Sequence, residues 1–159
     1  MKIQFTLPII PKSKLTVQHT KTGIAYHSKE EKQREAELMP LLAQHRPEKP
    51  LEGAIMLSVM VYLPIPSSKP RWWKEAAAES FIRPTGKPDL SNYIKLIEDC
   101  MESLGFFKND SQIVEYVVGW QENGDAEYTG KYYSENPRWN ISLKEIPQPQ
   151  TKKEWGSMK

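Results

Sequence analysis

One cysteine, Cys100, stands in 159 residues, so no internal disulfide can form and a reducing cytoplasm is the expected location. It falls on the apolar stripe of a helical segment, where a thiol packs as a small hydrophobe. The three histidines, His19, His27 and His45, lie in the N-terminal third. Their spacing matches no compact zinc signature and there is no thiolate cluster to help them, so they read as surface residues. Glycine-rich phosphate loops are absent, which argues against NTP-driven chemistry and a nucleotide cofactor. No run reaches the ~20 apolar residues of a membrane span. The opening MKIQFTLPIIPKSK is interrupted by Pro8 and Pro11 and is too short an apolar run for a secretory signal. A protein neither exported nor anchored is expected, and there are no internal repeats.

What is present suits one small soluble domain. With 38% hydrophobic and 26% charged residues, the chain can bury a core without disulfides. We expect one domain over residues 1–146 and a polar, proline-punctuated, disordered tail over 147–159. The net charge of +2 hides a segregation. Residues 1–84 carry 13 basic against 8 acidic side chains, residues 85–130 carry 3 against 9, and residues 131–159 carry 6 against 3. An acidic centre with basic flanks favours a metal-dependent nuclease over a protein that coats DNA, because carboxylates repel phosphates unless a cation intervenes. A solvated acidic helix face is the plainer alternative.

The acidic centre is the stretch KPDLSNYIKLIEDCMESLGFFKNDSQ, residues 87–112. Leu90, Tyr93, Ile94, Ile97, Cys100, Met101 and Leu104 recur with helical spacing and predict one buried stripe. Pro88 and Asp89 mark the start and Gly105 the stop. At about 100° per residue, Asn92, Lys95 and Asp99 share the polar side one turn apart. Asp110 follows at the start of an expected strand over residues 111–120. The helix is roughly 20 Å long at 1.5 Å per residue, so the sequence leaves open how near Asp110 comes to Asp89. Carboxylates in this number beside a lysine are the inventory for holding a hard cation against a phosphate. Singly, Asp89 could be only an N-cap, Asp99 and Glu102 a solvated face, and Asp110-Ser111 an ordinary turn.

In this order, Lys87-Pro88-Asp89, Asn92, Lys95, Asp99 and Asp110-Ser111-Gln112 resemble the motif of the RusA family of Holliday junction resolvases, common in bacteria and their phages. The resemblance implies a small mixed α/β domain that works as a homodimer and uses Mg²⁺ to cut four-way DNA junctions by paired nicks. By position it makes Asp89, Lys95 and Asp110 catalytic, places Asp89 and Asp110 on the metal with Asp99 as a further acid, and leaves Ser91 and Asn92 in support. Two residues depart from the pattern. Ser91 stands where the family usually has a second aspartate, and Asn109 where the first acid of a downstream pair is common. A hydroxyl is a much weaker ligand than a carboxylate for a hard dication.

Around the motif, Ile3, Phe5 and Leu7 alternate as a strand. Lys12, Lys14 and Lys21 form either a mobile basic patch for phosphates or an ordinary solvated loop. Ser28 to Glu31 reads as a capping box opening a helix to about residue 44, which Pro40 should kink or end near Met39. Residues 54–63 are apolar on both faces and predict a central strand. A short helix follows through residue 81, with Lys69, Arg71 and Lys74 on its first turns. Trp72 and Trp73 beside them suit stacking on unpaired bases, or simple packing. Arg83 and Lys87 flank the turn into Asp89 and are the preferred phosphate contacts near the site. Residues 122–130 read as a polar loop, and Trp139, Ile141 and Leu143 mark a last strand. The element order is β, α, β, α, α, β, β, a mixed α/β domain. Alternatives to the nuclease are a junction-DNA-binding protein that has lost its chemistry, with Ser91 as the sign, and a protein-binding adaptor with an acidic helix.

Overall fold

A computed structural model describes residues 2–15, 18–19, 23, 25–26, 29–116, 119–120 and 126–159. The elements in order are β1 (Lys2–Leu7), β2 (Gln18–His19), β3 (Ala25–Tyr26), α1 (Lys29–Ala43), β4 (Ile55–Pro64), α2 (Arg71–Ala78) and α3 (Leu90–Ser103). They continue as a 3-10 turn (Asp110–Gln112), β5 (Ile113–Glu115), β6 (Gly119–Trp120), β7 (Ala126–Glu127), β8 (Gly130–Ser134), β9 (Arg138–Glu145) and α4 (Lys152–Met158). The fold is the mixed α/β domain expected, with a mixed sheet.

β4 is the sheet's spine. It pairs antiparallel with β9 along Ile55 to Tyr62, and β9 pairs antiparallel with β1. The other side of β4 is shared, with β5 parallel at its beginning and β8 parallel at its end. Thr129 closes the gap between those two strands. Its hydroxyl accepts from the Val59 N–H at 3.2 Å and donates to the Tyr116 carbonyl.

The alternation read in β4 has its expected consequence. Ile55, Leu57, Val59 and Val61 are fully buried, side by side with Phe5 and Leu7 of β1 and with Trp139, Ile141 and Leu143 of β9 in the sheet, in one core with the apolar stripes of α1 and α3. Cys100 belongs to this core, 2% exposed, and burial pushes its thiol up to about 12. It is inert packing.

Several expectations change. α1 runs through Pro40 without ending at Met39. Leu38 and Leu42 straddle the proline one turn apart and are both buried, so core contact holds the helix across a residue that costs about 3 kcal/mol in a helix interior. The strand expected over 111–120 is shorter, because Gln112 belongs to the 3-10 turn and β5 ends at Glu115. The loop expected over 122–130 ends in two strands, β7 and the start of β8. The tail expected to be disordered carries α4, capped by the Thr151 hydroxyl and exposed throughout. His45 is no bare surface residue; its ring stacks on Phe5 with centroids 4.4 Å apart. Lys21, His27 and the Ser28 of the capping box lie outside the described residues, as does the side chain of His19. Among the described residues no helix is long and apolar enough to cross a membrane.

Replacing Pro40, which is exposed, with alanine would return an N–H donor for the Ala36 carbonyl. Pro40→Ala is expected to stabilise the fold by about 1–3 kcal/mol, the helix-interior gain less the unfolded-state entropy that proline removes, read by urea unfolding.

Candidate active site

α3 buries Tyr93, Leu96, Ile97, Cys100 and Met101 and turns the other side outward. Asp89 is its N-cap in extended conformation, and its carboxylate makes no capping hydrogen bond. It faces Lys87 instead, with Oδ1 3.3 Å from Nζ. Ser91 and Asn92 in the first turn are exposed. One turn on from Ser91, Lys95 points toward the helix C-terminus and meets Asp99 at 3.4 Å.

Gly105, at φ 81°, takes the left-handed conformation that ends the helix and reverses the chain. Phe106 and Phe107 then bury completely, which pins the reversal to the core. The return brings Asp110 to the middle of α3, where its Oδ2 lies 3.4 Å from the same Lys95 ammonium. The loop is built tightly. The Asp110 N–H donates to Glu102 at 2.9 Å, and Asn109 Oδ1 accepts from the Ser111 N–H at 2.8 Å. Gln112 Oε1 accepts from the Lys108 and Asn109 N–H groups, while its Nε2 donates to the Leu51 and Gly53 carbonyls at 3.0 and 3.1 Å. Asn109 and Gln112 are thus a reciprocal cap that holds Asp110 up to α3.

Lys14, expected in a mobile patch, joins this site. Its N–H donates to the Asn92 carbonyl at 2.9 Å and its ammonium pairs with Asp99. The result is a chain of alternating charge, Lys14–Asp99–Lys95–Asp110. Asp99 holds the Lys95 ammonium above the ordinary lysine value, outweighing a lowering from burial, and Asp110 adds to the rise. Lys95 therefore stays protonated at neutral pH, a state that can donate and supply charge but cannot serve as a base.

The three aspartates do not converge. Among the described residues no three His, Cys, Asp or Glu side chains form a group able to hold a metal ion. Asp89 and Asp99 are ten residues apart on one helix, roughly 15 Å along its axis. Asp99 and Asp110 share one neighbour, the Lys95 ammonium, which each approaches at 3.4 Å. Mg²⁺ takes one or two carboxylates and completes its shell with water and substrate phosphate, and the residues present match that demand in number and type.

Of the other basic residues, Lys12 pairs loosely with Glu37, and Arg71 with Glu75. Lys69 lies over the Trp73 ring at 5.1 Å, and Lys74 is half-buried. Arg83 is more fixed. It donates through Nε to the Lys131 carbonyl at 2.6 Å and lies 3.8 Å over the Tyr132 ring, itself stacked on Tyr62, whose far face carries Arg138.

A scan against protein-family models matches residues 7–144 to the family described as endodeoxyribonuclease RusA. The chain belongs to the RusA family. A curated relative from Bacillus subtilis (strain 168), described as an uncharacterized protein YqaN, is 37% identical over 106 residues. The match covers 65% of this chain and 66% of that protein, just under two thirds of its length.

Three residues of this RusA member went unread in the sequence. Lys131 on β8 donates to the carbonyls of Gly86 and Pro88, both at 3.0 Å, and so fixes the turn that presents Asp89. Glu98 is 6% exposed behind Lys95 and Asp110, and it accepts from the Tyr116 hydroxyl at 2.6 Å. Nothing in their local sequence marks these contacts, since Lys131 lies 43 residues and Tyr116 18 residues from its partner. Burial first, then the neighbouring acids, raise the Glu98 carboxyl above its usual range, with Tyr116 pulling the other way.

A carboxyl whose folded pKa is raised favours the folded state at low pH and penalises it as pH climbs through that folded value. Glu98→Gln keeps an acceptor for Tyr116 and removes the penalty. Its Tm at neutral pH is expected to exceed that of the wild type, with the gain vanishing toward about pH 4. Tyr116→Phe, which leaves the buried carboxylate short of a donor, should cost roughly 1–3 kcal/mol at neutral pH. Thermal unfolding across that range reads both.

Proposed function

We propose that this chain is a Mg²⁺-dependent endodeoxyribonuclease that resolves four-way DNA junctions by paired nicks, acting as a homodimer in the cytoplasm. The observation that carries the reading is the Lys95 ammonium seated between the carboxylates of Asp99 and Asp110, both 3.4 Å away. A lysine and two acids sharing one half-exposed surface are what phosphodiester hydrolysis needs, and family membership supports the same chemistry.

Asp110 and Asp99 would hold the ion, which when bound polarises a phosphate and lowers the pKa of an attacking water. Lys95, kept protonated by those acids, donates toward the oxygen on which charge develops. Lys14 offsets the charge of Asp99 as DNA approaches. Asp89 and Lys87 stand at the helix mouth, held in place by Lys131, where Asp89 is the third catalytic acid and orients substrate or water. Ser91 and Asn92 line the surface between. Lys12, Lys69, Arg71, Lys74, Arg83 and Lys87 contact the phosphates of the arms, so affinity drops steeply with salt. A two-fold dimer presents two such sites to a symmetric junction.

Nicking of a labelled four-way junction, with linear duplex as control, tests this. Wild type should nick in Mg²⁺ and not in EDTA, and Asp110→Asn should lose at least about 100-fold in rate while still binding, since removal of one positioned charge costs that much in comparable sites. If Asp99 shares the ion, Asp99→Asn falls as far; a fully active Asp99→Asn assigns the ion to Asp89 and Asp110 instead. Lys131→Met should slow nicking by acting on Asp89, and strong activity in that variant would detach the β8 clamp from the reaction.

A second reading has its own observation. Ser91 is exposed on the first turn of α3 where the family usually has an acid, and no three-acid group forms among the described residues. A junction-binding protein without chemistry would fit this. It would grip the junction in Mg²⁺ and leave every strand intact, and Ser91→Asp would then be the change expected to restore nicking.

A further inference from the structure

Resting on the nuclease reading, we propose that Trp72 and Phe81 form a stacking surface for unpaired bases at the branch of the DNA substrate. The two adjacent tryptophans of α2 divide their work. Trp73 turns inward onto Tyr133, with ring centroids 5.4 Å apart, and Ala77 one turn on is fully buried. That side is packing. Trp72 is 67% exposed and Phe81 is 81% exposed.

The two aromatics sit at opposite ends of one short helix. Trp72 is on the first turn of α2, and the Phe81 N–H closes on the Ala76 carbonyl at 2.9 Å, which holds Phe81 against the helix C-terminus. Ser80 between them takes φ 66°, a left-handed conformation that a residue with a β-carbon adopts at a cost of about 1–2 kcal/mol. This bend follows α2 and leaves Phe81 uncovered just beyond the helix end.

Charge selects the occupant. Residues 69–87 hold Lys69, Arg71, Lys74, Arg83 and Lys87 against Glu75 and Glu79. A second copy docking here would set like charges against each other. A polyanion with flat apolar faces satisfies the cations and the rings together. Every base has such a face, so the contact is tolerant of sequence. In linear duplex those faces are hidden by stacking, whereas a branch point exposes them. From Phe81 to Asp89 the chain spans at most roughly 28 Å, less than one turn of duplex, so ring and carboxylate can engage the same branch.

The test uses full-length protein in Mg²⁺-free buffer, a four-way junction carrying 2-aminopurine at the crossover, and linear duplex of equal length. Trp72→Ala and Phe81→Ala should each weaken junction binding about tenfold, leave duplex binding unchanged, and suppress the change in 2-aminopurine emission seen with wild type. Trp72→Tyr should restore most of the affinity and Trp72→Leu should not, which separates stacking from apolar bulk. Both native side chains are exposed, and circular dichroism checks that the variants fold. Equal junction affinity, equal loss on duplex, or a change of oligomeric state with rescue by Leu would overturn the proposal, the last by assigning the patch to a second copy. If wild type itself does not prefer the junction to duplex, the nuclease reading fails. Wild-type preference with indifferent variants sinks the stacking surface alone.

Discussion

Burial of the α3 stripe against β4 is the constraint from which the rest follows. Ile97 and Met101 on the helix and Leu57 and Val59 on the strand are all fully buried. Each such side chain contributes about 1.5–3 kcal/mol relative to exposure. Once that face is committed, the rotation of the helix is fixed, and Lys95 and Asp99 have nowhere to point except outward. The reversal at Gly105 is tied into the same core through Phe106 and Phe107. Asp110 is therefore delivered to α3 by apolar burial, with the polar cap of Asn109 and Gln112 setting the last few ångströms.

That arrangement explains how an acidic centre is tolerated. Asp99 and Asp110 would repel each other across one surface, but two ammonium groups are interleaved with them. Glu98 is the exception, buried and leaning on Tyr116 alone among the described hydrogen bonds. Its position behind Lys95 sets a buried carboxyl against the site without facing solvent. The motif departure at Asn109 acquires a physical role here, since an amide that caps the 3-10 turn does for geometry what a second acid would have done for charge. Ser91 has no such compensation among the described contacts.

The basic residues sort into two kinds. Lys14, Arg83 and Lys131 are structural as well as charged, committed to carbonyls, rings or carboxylates. Lys12, Arg71 and Lys87 sit in solvent-exposed pairs and Lys69 over the Trp73 ring, free to exchange partners for phosphate. Surface pairs of that kind contribute little to stability, so losing them on binding costs little.

The sequence alone determined what repeats locally. Period-two alternation placed β1, β4 and β9, and period-3.6 recurrence with Pro88, Asp89 and Gly105 bounded α3, because each signal is carried by residues a few positions apart. The motif order identified the family before any distance was known. Tertiary structure decided what depends on contacts between distant segments. It carried α1 across Pro40, put Lys14 on Asp99, clamped the Asp89 turn with Lys131, and brought Asp110 to the Lys95 ammonium that Asp99 also pairs. It also separated Trp72 from Trp73, two identical neighbours that differ only in which way a helix faces. Those outcomes rest on how elements pack, and packing energy is shared among residues too far apart in the chain for any local pattern to record.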